Sequence, residues 1–163
     1  MSEPNEPDFQ DFVCVINTDG TGFHKLVNVT QLPFEISTLW DLYVTQDGKL
    51  IFAADRYYIT EPDTINPAPF TDNINVDLRK LTLSNNNKAY YCNNGDLFQY
   101  DFQTNSQTNL TSNFEGHLVN PNISPDNSRI SFIQVNNAKY DIAKLGYYSL
   151  DGDSVHIIVN AGN

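Results

Sequence analysis

Three segments of the chain line up without gaps: TQDGKLIFA from Thr45, SNNNKAYYC from Ser84 and SPDNSRISF from Ser124. Each reads Ser or Thr, any residue, Asp or Asn, Gly or Asn, and then a short run of strand-forming residues. Their starts lie 39 and 40 residues apart, and an apolar residue precedes each one, Val44, Leu83 and Ile123. Asp, Asn and Gly best tolerate the left-handed conformations of a tight hairpin turn, so the pattern predicts a turn entering a strand. That strand alternates, with Ile130 and Phe132 on one face and Arg129 and Ser131 on the other. A period of about forty residues restricts the chain to repeat architectures.

A second landmark falls between these turns. Asp19, Asp63, Gln103 and Asp151 each stand seven positions before an apolar residue, Leu26, Phe70, Leu110 and Ile158. The endings LVN, FTD, LTS and IVN resemble one another. VINTDGTGFHKLV (15–27) has counterparts in FQYDFQTNSQTNLT (98–111) and YYSLDGDSVHIIV (147–159), and the middle copy contains no glycine. A phosphate-cradling loop needs its glycines and a following helix N-terminus; a hairpin needs neither, so Asp19-Gly20-Thr21-Gly22 is read as a turn. Each unit then holds four short strands, as in DLRKLTLS, KAYYCN, LFQYDF and TNLT. No stretch carries sustained helical periodicity. The expected fold is all-β, built of four-stranded blades of the β-propeller type.

ISPDNSRISF (123–132) resembles the Ser-Pro-Asp-Gly-Lys motif of the TolB-like (WD40-like) β-propeller repeats, and INTDGTGFHKLV resembles the paired blade ending of that family. The resemblance covers roughly Phe12 to Asn160. Ser84-Asn85-Asn86-Asn87 lacks the proline and the glycine, and Thr45-Gln46 replaces Ser-Pro. What the resemblance implies is a rigid propeller used as a binding platform, in relatives that include envelope binding proteins, gating propellers of prolyl oligopeptidase-like enzymes and oligogalacturonate lyase-like propellers.

Residues 1–12 read as an acidic, Pro-containing tail, and 13–163 as the repeats: a half blade at 13–28 and blades at about 36–72, 76–112 and 117–160. Closed propellers usually need four to eight blades. The expectation is therefore a piece of a larger propeller, or two copies that form a homodimer completing one.

The formal net charge of -11 and pI near 4.3 exclude nucleic acid, whose phosphates attract basic surfaces, and disfavour anionic lipid. No apolar run is long enough for membrane insertion as a helix, and the acidic N-terminus is unlike a signal peptide. A natural N-terminus implies a cytoplasmic protein, a removed leader a periplasmic one. Cys14 and Cys92 lie in apolar strand-like runs without metal-site spacing, so both are expected as buried thiols rather than a disulfide. Sequons occur at Asn28, Asn109 and Asn122.

Nothing in the residues composes a nucleophile site: GxSxG is absent, and no carboxylate pair stands out. Asp151-Gly152-Asp153 is too short for an EF-hand, although a loop-carboxylate Ca²⁺ site stays open as an alternative. His24 and His156 occupy the same repeat position and read as structural. No cofactor is expected. Loops between second and third strands share a rim with the connections between blades, and that rim holds the candidate binding residues Asp55, Arg56, Asn93, Asn94, Asn136, Asn137 and Tyr140, with His117 on the loop entering the last unit. A Pro-rich insertion, TEPDTINPAPF (60–70), opens on the opposite rim. The reading is a non-catalytic module recognising a protein or peptide; the alternative is the propeller portion of a larger enzyme whose catalytic residues lie outside this chain.

Overall fold

A computed structural model describes residues 12–16, 19–28, 41–53, 56–61, 67–71, 80–135 and 142–160. Among them the chain forms only strands and turns, with no helix. Strands β1 (Phe12–Val15) and β2 (His24–Asn28) make a two-stranded sheet. Three four-stranded antiparallel sheets follow. The first holds β3 (Leu42–Val44), β4 (Leu50–Ala53), β5 (Tyr57–Thr60) and β6 (Ala68–Pro69). The second holds β7 (Leu81–Leu83), β8 (Lys88–Asn93), β9 (Asp96–Asp101) and β10 (Ser106–Asn109). The third holds β11 (His117–Ile123), β12 (Arg129–Val135), β13 (Ile142–Ser149) and β14 (Ser154–Asn160). In each, sequence neighbours are sheet neighbours, which is the meander of a propeller blade, and the blades do not close into a ring within this chain.

One hydrogen-bond frame builds the three repeated turns. Thr45 Oγ1 donates to Asp47 Oδ1 at 2.5 Å, accepts the Lys49 N–H at 2.9 Å, and its own N–H reaches the Lys49 carbonyl at 2.9 Å. Ser84 repeats this with Asn86 and Lys88. Ser124 does so with Asp126 and Arg129. Gly48 at φ 87°, Asn87 at 58° and Asn127 at 55° supply the left-handed residue. The third turn closes on Arg129, one residue later than its counterparts, because Ser128 is inserted. The gapless alignment is thus corrected: Leu50, Ala89 and Ile130 are the equivalent first core residues.

A second frame closes the blades. Tyr57 N–H donates to Thr71 Oγ1 at 3.0 Å and Leu97 N–H to Thr111 Oγ1 at 2.9 Å, while Phe70 and Leu110 return N–H bonds to the Tyr57 and Leu97 carbonyls. This is the physical content of the recurring Phe-Thr and Leu-Thr endings.

Alternation sends one face of each blade forward and the other back. Ile51, Ala53 and Tyr57 of the first blade pack against Leu81, Ala89 and Tyr91 of the second. Tyr90, Cys92 and Leu97 on the second blade's other face meet Leu118, Ile130, Phe132 and Tyr148 of the third. Arg129 and Ser131 stay exposed while Ile130 and Phe132 are buried, as the alternation requires. Each fully buried large side chain here contributes about 1.5–3 kcal/mol of transfer free energy. Tyr43 Oη accepts the Leu81 N–H at 3.1 Å and Thr82 Oγ1 the Ile123 N–H at 3.2 Å, tying adjacent first strands together.

One expectation fails. Cys92 is buried, but Cys14 is exposed, because β1 lies in the two-stranded sheet; the two thiols are not bridged. Burial, with a smaller contribution from the Asp96 charge, pushes the Cys92 thiol up to about 12. No described helix is long and apolar enough to cross a membrane.

Candidate functional site

Because antiparallel strands alternate in direction, the loops between second and third strands and the starts of first strands share one end of every blade. The structure brings three candidates together there: Asn93, Asn94 and His117. Asn94 and Gly95 form the two-residue β8–β9 hairpin, with φ of 50° and 91°, and Asn93 pairs with Asp96 across it. Both central residues being left-handed fits a type I′ turn, which matches the twist of the flanking strands. A Cβ on Gly95 would stand 2.6 Å from His117 Nδ1, so only glycine lets the third blade approach this closely. The Leu118 N–H locks the approach by donating to the Gly95 carbonyl at 2.8 Å. Arg56 opens β5 on the same rim of the first blade, half-buried. Asp55, Asn136, Asn137 and Tyr140 lie outside the described residues.

Asn93 is buried, 7% exposed, unlike the solvated loop residue its sequence context suggests. Its Oδ1 meets no donor, and the same holds for the buried Oε1 of Gln134, whose Nε2 donates to the Glu115 carbonyl at 3.2 Å. With the inserted Ser128 counted, Cys92 is equivalent to Ile133 and Asn93 to Gln134. A buried amide with an orphaned carbonyl oxygen therefore recurs at one repeat position, the rim end of the second strand, in two adjacent blades. Such oxygens are rare, since an unpaired buried acceptor costs about 1–3 kcal/mol. Sequence reasoning missed Gln134 because the gapless alignment set Asn93 opposite Ile133.

Around this rim the polar groups otherwise serve the fold. Asp96 accepts the Asn109 amide at 2.8 Å and the Thr111 hydroxyl at 3.5 Å. His156 lies away from it on β14, stacked on Tyr147 with centroids 4.7 Å apart and hydrogen-bonded to Ser154 at 3.0 Å. His24, the other histidine at that repeat position, starts β2. Among the described residues no three His, Cys, Asp or Glu side chains group as metal ligands.

No known protein family matches the chain, and no curated protein matches it. Solved structures do. YCF48 bound to D1 peptide superposes with a TM-score of 0.55 at 13% identity, over 85% of this chain and 45% of that one. Oligogalacturonate lyase of Vibrio parahaemolyticus gives 0.56 at 15% identity, over 91% and 46%. An auxiliary nutrient binding protein of Bacteroides thetaiotaomicron gives 0.57 at 15% identity, over 91% and 36%. The chain thus spans less than half of each. At these identities the likeness is one of fold, that of the β-propeller.

Proposed function

We propose that the chain is a non-catalytic binding module of the TolB-like kind that recognises a protein or peptide along the rim formed by Asn93, Asn94, Gln134 and His117, joined by Arg56 and, from the sequence, Asp55, Asn136, Asn137 and Tyr140. The observation that carries this reading is the recurring pair of buried, unpartnered amide oxygens, Asn93 Oδ1 and Gln134 Oε1. Both oxygens are covered in the free chain, so a ligand reaches them only by turning the two amides outward; acceptors at a repeat spacing then suit a ligand that offers donors at a spacing of its own. An extended peptide, with regularly placed N–H groups, is such a ligand. The net charge of -11 favours neutral or cationic segments over acidic ones. That one solved propeller of similar fold holds a peptide supports the ligand class, not its identity.

The test is to select peptides from a random display library on the full chain and measure their affinities for Asn93→Leu and Gln134→Met. Only the oxygen of each amide lacks a partner, and the bond that Gln134→Met gives up, to the Glu115 carbonyl, is solvent-exposed, so apolar groups of similar size change stability little, whereas a ligand donor loses its acceptor. Expected is a loss of at least about tenfold in affinity, with no fall in the thermal midpoint for Asn93→Leu and at most a small one for Gln134→Met. Peptides that bind both variants as well as the parent chain, or a library that yields no binder, would overturn the reading. A clear fall in midpoint would make the amides structural.

A further inference from the structure

The two internal seams of the blade stack are filled differently. At the first, Phe70 is buried with its ring 4.9 Å from that of Tyr100 and 5.3 Å from that of Phe102. The repeat puts Leu110, Tyr148 and Leu150 at these places in the second seam. Leu110 returns its N–H to the Leu97 carbonyl as Phe70 does to that of Tyr57, and Leu150 bonds the Ser128 carbonyl as Phe102 bonds that of Asn87. Tyr148 pairs with Ile130 as Tyr100 pairs with Ala89. Two phenyl rings thus give way to two smaller leucines, and side chains too small for the space between packed elements leave a void. A crevice of about 310 Å³ lies there, lined by Leu110, Thr111, Phe114, Tyr148, Asp153 and Val155 among others, and Leu110 is only half-buried. The first seam keeps a smaller crevice of about 200 Å³, which holds a cation of its own, Lys49 Nζ at 3.3 Å from Glu61.

The larger crevice carries an acid that its own turn does not require. Asp153 is the left-handed residue of the β13–β14 hairpin, at φ 46°, and Asn105 takes the same place before β10 at φ 50°. The turn carboxylates Asp19, Asp101 and Asp126 each accept a backbone N–H of their own turn, from Thr21, Gln103 and Ser128. The Asp153 carboxylate accepts instead from the Tyr148 hydroxyl on the crevice wall, and Asp153 is itself exposed. Among the described residues, none that lines this crevice is Lys, Arg or His. Apolar and aromatic walls with one exposed carboxylate and no cation define the ligand by its chemistry.

The geometry points to a crevice that takes a lysine or arginine side chain, its alkyl stem along Leu110 and Val155 and its charged head at Asp153. Such side chains lay their stems on apolar surface and keep the head toward water, and aromatic faces such as those of Phe114 and Tyr148 attract the head. The net charge of -11 draws cations to this surface in general, and the crevice supplies the place where one is held. Its wall includes the connection after β10 that leads into His117. The inference therefore names a side chain for the peptide of the proposed rim, and to that extent rests on that reading; the crevice itself uses neither Asn93 nor Gln134.

Titration of the whole chain, followed by NMR of its backbone amides, tests the inference with lysine, arginine and norleucine, each capped as the N-acetyl methylamide. Capped lysine and arginine are expected to shift the Asn113, Phe114, Ser154 and Val155 amides saturably. Capped norleucine, which has the stem of lysine without its charge, is expected to leave them in place. Asp153→Asn keeps a residue suited to the left-handed turn, as Asn105 shows, and is expected to weaken lysine binding at least about fivefold. Leu110→Phe restores the ring that the first seam carries and is expected to close the crevice to lysine. Four results would each overturn the inference: capped cations that shift nothing, norleucine that binds as well as lysine, and Asp153→Asn or Leu110→Phe, folded by circular dichroism, that binds lysine as tightly as the parent. Capped residues engage the crevice alone, so their failure leaves the amide rim standing. Peptides that bind Asn93→Leu and Gln134→Met undiminished sink the rim and leave the crevice.

Discussion

Thr111 is 3% exposed, and its hydroxyl is the acceptor for the Leu97 N–H at the start of the third strand of its blade. Thr111→Val keeps the shape and strands that N–H, which costs about 1–3 kcal/mol; Thr111→Ser keeps the hydroxyl and costs well under half as much. Urea unfolding of the two variants separates the hydrogen bond from the packing, and equal losses would refute the role given to the hydroxyl. The threonine was visible in the sequence as part of a shared ending, but its task was not, because the partner N–H lies 14 residues away. Glycine shows a similar limit. Gly48 and Gly95 have nearly equal φ, 87° and 91°, so alanine at either one costs about 1–2 kcal/mol in backbone strain. Only at Gly95 does the added Cβ also meet His117, 2.6 Å away, so Gly95→Ala is expected to lower the melting temperature clearly more than Gly48→Ala. Equal shifts would mean that the close blade contact adds nothing.

At the scale of the element, the turn was the most legible part of the chain, since Ser or Thr, Asp or Asn and a left-handed residue are chemically dictated. Its electrostatics follow from the same bonds. Hydrogen bonds from the Ser124 hydroxyl, then from the Ser128 N–H and hydroxyl, lower the Asp126 carboxyl from 3.8 to about 2. A carboxyl depressed in the folded chain adds stability that is complete above its unfolded value and vanishes as pH falls through the folded one. The Asp126 contribution is therefore lost between about pH 4 and pH 2. Asn86 fills this place in the second turn with the same serine bond, so Asp126→Asn preserves the frame and removes the titration. Denaturant midpoints followed through that window are expected to fall less steeply for Asp126→Asn than for the parent. Parallel curves would show that the carboxylate is not the acid-sensitive group. What the sequence hid in this element was its length: Ser128 leaves the motif intact but shifts every later residue by one. That single residue concealed the equivalence of Asn93 and Gln134. Cys14 was misjudged for a different reason, since an apolar run predicts a strand but not which of its faces finds a neighbour.

At the scale of the whole molecule, the described residues pack the first blade on the second and the second on the third, so stability is distributed over seams. The seams can then open separately, and Cys92 reports on one of them. Its thiol is buried between the second and third blades, and burial raises it to about 12, so it reacts only when that seam opens. Cys14, exposed on β1, is expected to take up an alkylating reagent at once in the native chain. Leu118 is wholly buried against Cys92, and Leu118→Ala should cost about 2–5 kcal/mol at this seam. When opening and closing are fast relative to labelling, the rate follows the open population, so alkylation of Cys92 should rise by roughly thirtyfold or more. Ile51→Ala weakens the other seam by a similar amount, because Ile51 is equally buried between the first and second blades. If the seams open independently, Ile51→Ala leaves the Cys92 rate within about twofold of the parent. If instead both substitutions accelerate it alike, the three blades unfold as one unit and nearest-neighbour coupling is the wrong description of this chain.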